Sequence, residues 1–220
     1  MFREILEELN SVLKGKTLDA LLPPLLFVLV QSRTTLINAV IFALGLSLGI
    51  GFYRLFKRQA IAYAFGGLVT VLIASAFALF ANNASNYYLP GILSTTFLFI
   101  VMLVSALIDK PLAAFVSHLT RGWSLAWFWR KDIKPAYREV TWFWVAMFGL
   151  SAGVQWVFYL GSDLNQLVWV TSLFGLPFTI FVLIVTYVYG LWRLKNLGGP
   201  GIDEFNQNKQ APYKGQTRGF

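Results

Sequence analysis

Five stretches of this sequence, 34–52, 60–80, 89–108, 140–160 and 167–191, contain no Asp, Glu, Lys or Arg. Each is close to the ~20 residues that carry a helix across ~30 Å of hydrocarbon at ~1.5 Å per residue. A backbone in hydrocarbon has no water to satisfy its amides, so a segment of this length crosses as a helix with all its hydrogen bonds internal. The expected fold class is therefore all-α, a polytopic membrane helical bundle. Composition agrees. The 220 residues are 57% hydrophobic and only 13% charged, about half the ~25% charged residues of a soluble domain.

A sixth apolar run, 18–30, is shorter and contains Pro23-Pro24. At ~1.5 Å per residue it spans only ~20 Å. The basic residues decide whether it crosses, because Lys and Arg collect in cytoplasmic loops. With six crossings, Arg33 is the one outer residue of 18 Lys and Arg, and the loops at 81–88 and 161–166 hold none. If 18–30 only dipped into the bilayer, Arg3, Lys14 and Lys16 would join Arg33 outside. The sequence therefore predicts about six transmembrane helices (18–30, 34–52, 60–80, 89–108, 140–160 and 167–191) with both termini cytoplasmic, in a cell or inner membrane. Residues 1–17 carry Phe2, Ile5, Leu6, Leu9 and Leu13 at helical spacing opposite charged residues. That pattern suits an amphipathic N-terminal helix on the membrane surface rather than a cleaved signal peptide.

Between the fourth and fifth runs, the 109–139 connection is too polar to cross and too aromatic to float in water. It reads as a cytoplasmic interfacial segment. Trp123, Trp127, Trp129, Arg130, Lys131, Lys134 and Arg138 are its candidate contacts with a protein partner, since aromatics beside arginines are favoured in interface cores. Residues 193–220 turn to Gly, Asn, Gln, Pro and Lys without apolar periodicity, which predicts a polar, disordered cytoplasmic tail able to fold on a partner. The formal net charge of +8 points to the anionic lipids of the cytoplasmic leaflet, not to nucleic acid.

Catalytic groups are scarce. The chain has no cysteine and a single histidine, His118, which excludes thiolate metal sites and cysteine nucleophiles and argues against a zinc site or a Ser-His-Asp triad. No metal, no cofactor and no catalytic residue is expected. His118 is the single candidate ligand, an imidazole that could hold a haem or pigment. Asn38 and Gln155 are the amides expected inside spans, each hydrogen-bonded across helices. Gly45-x-x-x-Gly49 followed by Gly51, with Gly66-Gly67 in the next run, are expected to bring two helices close together. Pro177 is expected to kink the last span.

Several stretches in order resemble an uncharacterised multi-pass membrane protein family of actinobacterial type: Leu22-Pro23-Pro24-Leu25-Leu26-Phe27-Val28, Arg54-Leu55-Phe56-Lys57-Arg58-Gln59, Tyr88-Leu89-Pro90-Gly91, Lys110-Pro111-Leu112, Ala136-Tyr137 through Thr141 and Trp144, and Gln155. The early Leu-Pro run, the Lys-Pro-Leu and Phe174-Gly175-Leu176 are also similar to the intracellular septation protein A family. The resemblance implies a bacterial inner-membrane protein of the envelope or division machinery and supplies no catalytic residues.

The function expected from these readings is non-enzymatic: an envelope or division factor, or an accessory subunit of a larger membrane complex, acting through partners on its cytoplasmic face. The alternatives are a transporter or channel for a neutral or lipid-like solute, and a pigment- or haem-holding subunit of an energy-converting complex.

Overall fold

The computed structural model describes residues 18–161 and 163–220, and every regular element among them is helical. The surface helix expected over 1–17 lies outside the described residues. In chain order the helices are α1 (Leu18–Gln31), α2 (Leu36–Phe56), α3 (Ile61–Phe80), α4 (Leu89–Leu107), α5 (Leu112–Arg121), α6 (Leu125–Phe128), α7 (Lys134–Leu160), α8 (Leu164–Leu173), α9 (Leu176–Leu197) and α10 (Ile202–Asn206), with a 3₁₀ turn at Ala84–Tyr87.

Five segments are long and apolar enough to cross a membrane: α2, α3, α4, α7 and the stretch Leu164–Leu197 that contains α8 and α9. At 14 residues, α1 reaches only ~21 Å. The last segment departs from the expected single kinked span, since it breaks at Phe174-Gly175. A proline ring strikes the carbonyl four residues earlier, which for Pro177 belongs to Leu173, the last residue of α8. Pro177 is instead accommodated in the first turn of α9, where no donor is needed. The fifth span also starts earlier than expected, at Lys134, with Pro135 in the first turn of α7.

The chain divides into two compact units. The first runs to Ser94 and includes Gly153–Pro177, and the second comprises Thr95–Ala152 and Phe178–Phe220. In the first, Phe27, Ala39, Val40, Ala43, Val71, Ala74, Ala78 and Tyr87 form the buried cluster. Small residues dominate the buried sides of α2 and α3, and Gly51 lies tight against α3. A Cβ on Gly51 would lie 2.8 Å from the Phe65 ring. Phe27 stacks on Tyr87 at 4.0 Å and 14°, holding α1 against the 3₁₀ turn. That turn is fixed further by the Tyr159 hydroxyl, which donates to Asn86 Oδ1 at 2.5 Å.

In the second unit, Trp144 Nε1 donates to Thr186 Oγ1 at 2.7 Å across α7 and α9. The fully buried Thr141 hydroxyl accepts from the Ala113 N–H at 3.2 Å and donates to the Tyr137 carbonyl at 2.8 Å, pinning the start of α5 to α7. The outward residues of the long helices are large and apolar, among them Ile37, Ile41, Phe42, Phe97, Ile100, Val157, Leu160 and Phe181. Water does not tolerate apolar surface on this scale, and hydrocarbon does.

The two small-residue motifs of α2 should behave differently. Gly51→Leu places a side chain where the Phe65 ring already sits and should cost about 1–3 kcal/mol. A Cβ on Gly45 would meet nothing within 4 Å, so Gly45→Ala should leave packing intact and stability undiminished. Thermal unfolding of both variants in mild detergent checks the contrast.

Candidate functional site

The connection and the tail fold together into one aromatic and basic lobe of the second unit. Its construction starts at Asp109, which closes the turn after α4 in a left-handed conformation (φ 54°). Its carboxylate accepts from Lys134 Nζ at 2.5 Å, with Arg138 at 3.9 Å. Lys134 above all holds the Asp109 carboxyl below the usual carboxylate range. From there α5 runs with Ala113, Ala114 and Ser117 inward and Phe115, Val116 and Leu119 exposed.

Gly122 ends α5 in the left-handed region (φ 71°), its N–H returning to the His118 carbonyl. The His118 ring stands 2.5 Å from the Trp123 carbonyl through Nδ1. A carbonyl can only accept, so Nδ1 is the donor of this bond. His118 is thus a brace for the turn that presents Trp123. Among the described residues, no group of three or more His, Asp or Glu lies together in a way that could hold a metal ion.

Beyond the turn, α6 drives Trp127 and Phe128 completely inside. Trp127 packs edge-on against Trp123 at 5.5 Å and Phe128 edge-on against Tyr137 at 4.9 Å. Trp127 Nε1 donates to the Pro200 carbonyl at 2.9 Å, so the indole is a core anchor for the tail. Its expected place on a partner-binding surface is therefore a correction: its apolar body and single donor are both consumed inside the lobe. Trp123 and Trp129 are half-buried, and Trp129 packs on Phe115 at 5.5 Å. Arg130 is bound bidentately by Asp132 at 2.9 and 2.7 Å. The exposed cations of the connection are Lys110, Arg121, Lys131 and Arg138.

The expected disorder of the tail is corrected too. Glu204, in α10, accepts backbone N–H groups from Gly201 at 3.0 Å, Lys214 at 2.9 Å and Gly215 at 3.1 Å. Those donors, Lys214 first, hold its carboxyl below the ordinary glutamate range. Gln216 is buried and accepts from the Ile202 N–H at 2.9 Å. Phe220 is buried as well and stacks on Tyr137 at 4.3 Å and 6°. Two buried polar residues, Glu204 and Gln216, and one aromatic stack replace the missing apolar periodicity. The Gly201-x-x-Glu204 spacing, half of a capping box, is the signal that could have revealed α10, whereas nothing local announces the Phe220 stack.

The remaining sequence candidates lie elsewhere. Asn38 is exposed in the first turn of α2, not buried between helices, and its backbone N–H donates to the capping Thr35 hydroxyl at 3.4 Å. Gln155 is buried in α7. Gly45, Gly49, Gly66 and Gly67 have open space where a Cβ would go, and of these small residues only Gly51 makes a close approach.

Residues 15–193 match the family described as protein of unknown function DUF3159. The chain belongs to that family. The match includes α5 to α7 and most of α9, but stops short of α10 and the Phe220 contact. It bears out the resemblance to an uncharacterised family, and no link to septation protein A is shown. No curated protein matches the chain, nor does any solved structure.

A group whose folded pKa is depressed stabilises fully above its ordinary value and loses that contribution as pH falls through the folded value. Tail order should therefore persist from neutral pH down to about pH 4, near the ordinary glutamate pKa, and fade on further acidification. Amide exchange of Gly201, Lys214 and Gly215, corrected for intrinsic rates, measures this. Glu204→Gln should exchange faster already at pH 6 and lose the acid step.

Proposed function

We propose that this protein is a multi-pass inner-membrane protein that crosses six times, with α1 as the short first crossing and both ends cytoplasmic. It acts as an accessory or envelope factor through protein partners bound at the connection, without catalysing a reaction. The observation that carries this reading is the outward side of α5. Phe115, Val116 and Leu119 are exposed there, Leu119 to 85%, on a helix whose inner side is already packed. The exposed cations Lys110, Arg121 and Lys131 lie in the same connection. Apolar anchors and exposed cations in one connection suit an acidic partner surface held at an anionic leaflet, where each cation contributes about 1 kcal/mol.

Further support comes from the basic residues. Those of the α2–α3 turn, the connection and the end of α9 share one side in the six-crossing arrangement. Reporter fusions after Lys16 and Lys195 should both read cytoplasmic, and one after Asn83 external.

A photo-crosslinking residue tests the partner. Placed at Leu119, it should give a discrete protein adduct in cells. At Phe97, on the outward side of α4, it should give lipid adducts alone. Lipid adducts alone at both positions would remove the partner and leave a lipid-anchored face.

A further inference from the structure

Gly219 and Phe220 are enclosed by side chains of α5, α7 and α9 and by Trp123. Phe220 lies flat on Tyr137 at 4.3 Å and 6°. On the α9 side Gly190 leaves the room, since a Cβ there would run into the Phe220 ring. Arg121 Nε donates to the Phe220 backbone oxygen at 3.2 Å, and the same guanidinium sits 5.3 Å over the Trp123 ring. Gly219 adopts φ 75°, and a Cβ on it would come within 2.8 Å of Arg121 Nη1 and 2.9 Å of Trp123. Gln216 completes the enclosure by donating through Nε2 to the carbonyls of Arg218 and of Gly219. The contacts on Gly219 and Phe220 engage an aryl ring, backbone oxygens and the absence of a side chain. The segment that leads here, 206–212, is exposed throughout.

We propose that Arg121, Tyr137 and Gly190 form a binding site for a glycine–aryl peptide unit, occupied in cis by Gly219-Phe220 as an exchangeable strap. The chemistry recognised is general, but the occupant is specific. Tyr137 supplies the stacking face, Gly190 the depth, and Arg121 the donor for a main-chain oxygen. Tethering raises the local concentration of the strap to about the millimolar range, so a free peptide of the same sequence competes poorly until the tether's own ring is removed. The inference goes beyond the partner reading of α5 and stands whether or not Leu119 touches a protein.

The test uses the full chain in mild detergent and a synthetic peptide with the sequence of residues 213–220. Calorimetric titration should show the peptide binding Phe220→Ala at least tenfold more tightly than the unaltered protein. The same peptide with alanine in place of its phenylalanine should not bind. Adding Arg121→Gln to Phe220→Ala should weaken peptide binding at least fivefold. Equal binding to the altered and unaltered proteins, or no binding to either, overturns the proposal.

Gly190→Ala guards against a folding defect, because alanine favours the helix while its methyl expels the ring. Exchange of the 213–220 amides should rise at least tenfold in that variant with α9 amides unchanged. Full retention of tail protection in Gly190→Ala overturns the strap.

Discussion

A peptide group in hydrocarbon finds no water to bond with, and an ionised side chain there has to be neutralised or expelled. Much of this structure follows from that constraint. Its charged residues are pushed to the ends of the long helices, and several of those at the ends are paired. Glu139 near the start of α7 is held by Arg193 at 2.8 and 2.9 Å and by the Tyr189 hydroxyl at 2.7 Å. The apolar remainder can then pack through small residues and scattered hydroxyls, as Ala39, Ala43, Ala74, Ala78 and Thr141 do.

The long helices were legible because a charge-free run about the length of a bilayer is a local signal. The details that escaped depend on contacts between distant residues. Proline chemistry at 177 is local, yet whether the chain kinks or breaks depends on which carbonyl the ring meets. The Gly45 and Gly49 pattern is a recognised packing signature, but the approach is made by Gly51, on the buried side of α2 with Ala39 and Ala43. Trp127 had the composition of a surface anchor and proved to be a core residue, since Pro200, far along the chain, presents its carbonyl to the indole.

The lobe shows how a segment without apolar periodicity becomes ordered. Glu204 gathers three backbone donors, Gln216 bridges two parts of the tail, and Phe220 closes on Tyr137. Composition says that such a segment buries too little to fold alone. It does not fold alone: α5, α6, α7 and α9 supply the surface. The family match ends at residue 193, so the receiving residues lie within the matched part and the strap beyond it.

The distance along the chain between the two sides of that contact has a consequence in time. Arg121 and Phe220 are 99 residues apart, and synthesis proceeds at about 5–20 residues per second. Gly190 precedes Phe220 by 30 residues, so for roughly 2–6 s after Gly190 is made the flat face of Tyr137 and the slot beside Gly190 have no strap to cover them. Each newly made copy passes through an interval in which its aromatic floor is open to neighbouring nascent chains and insertion factors, and the arrival of Gly219-Phe220 brings that interval to an end.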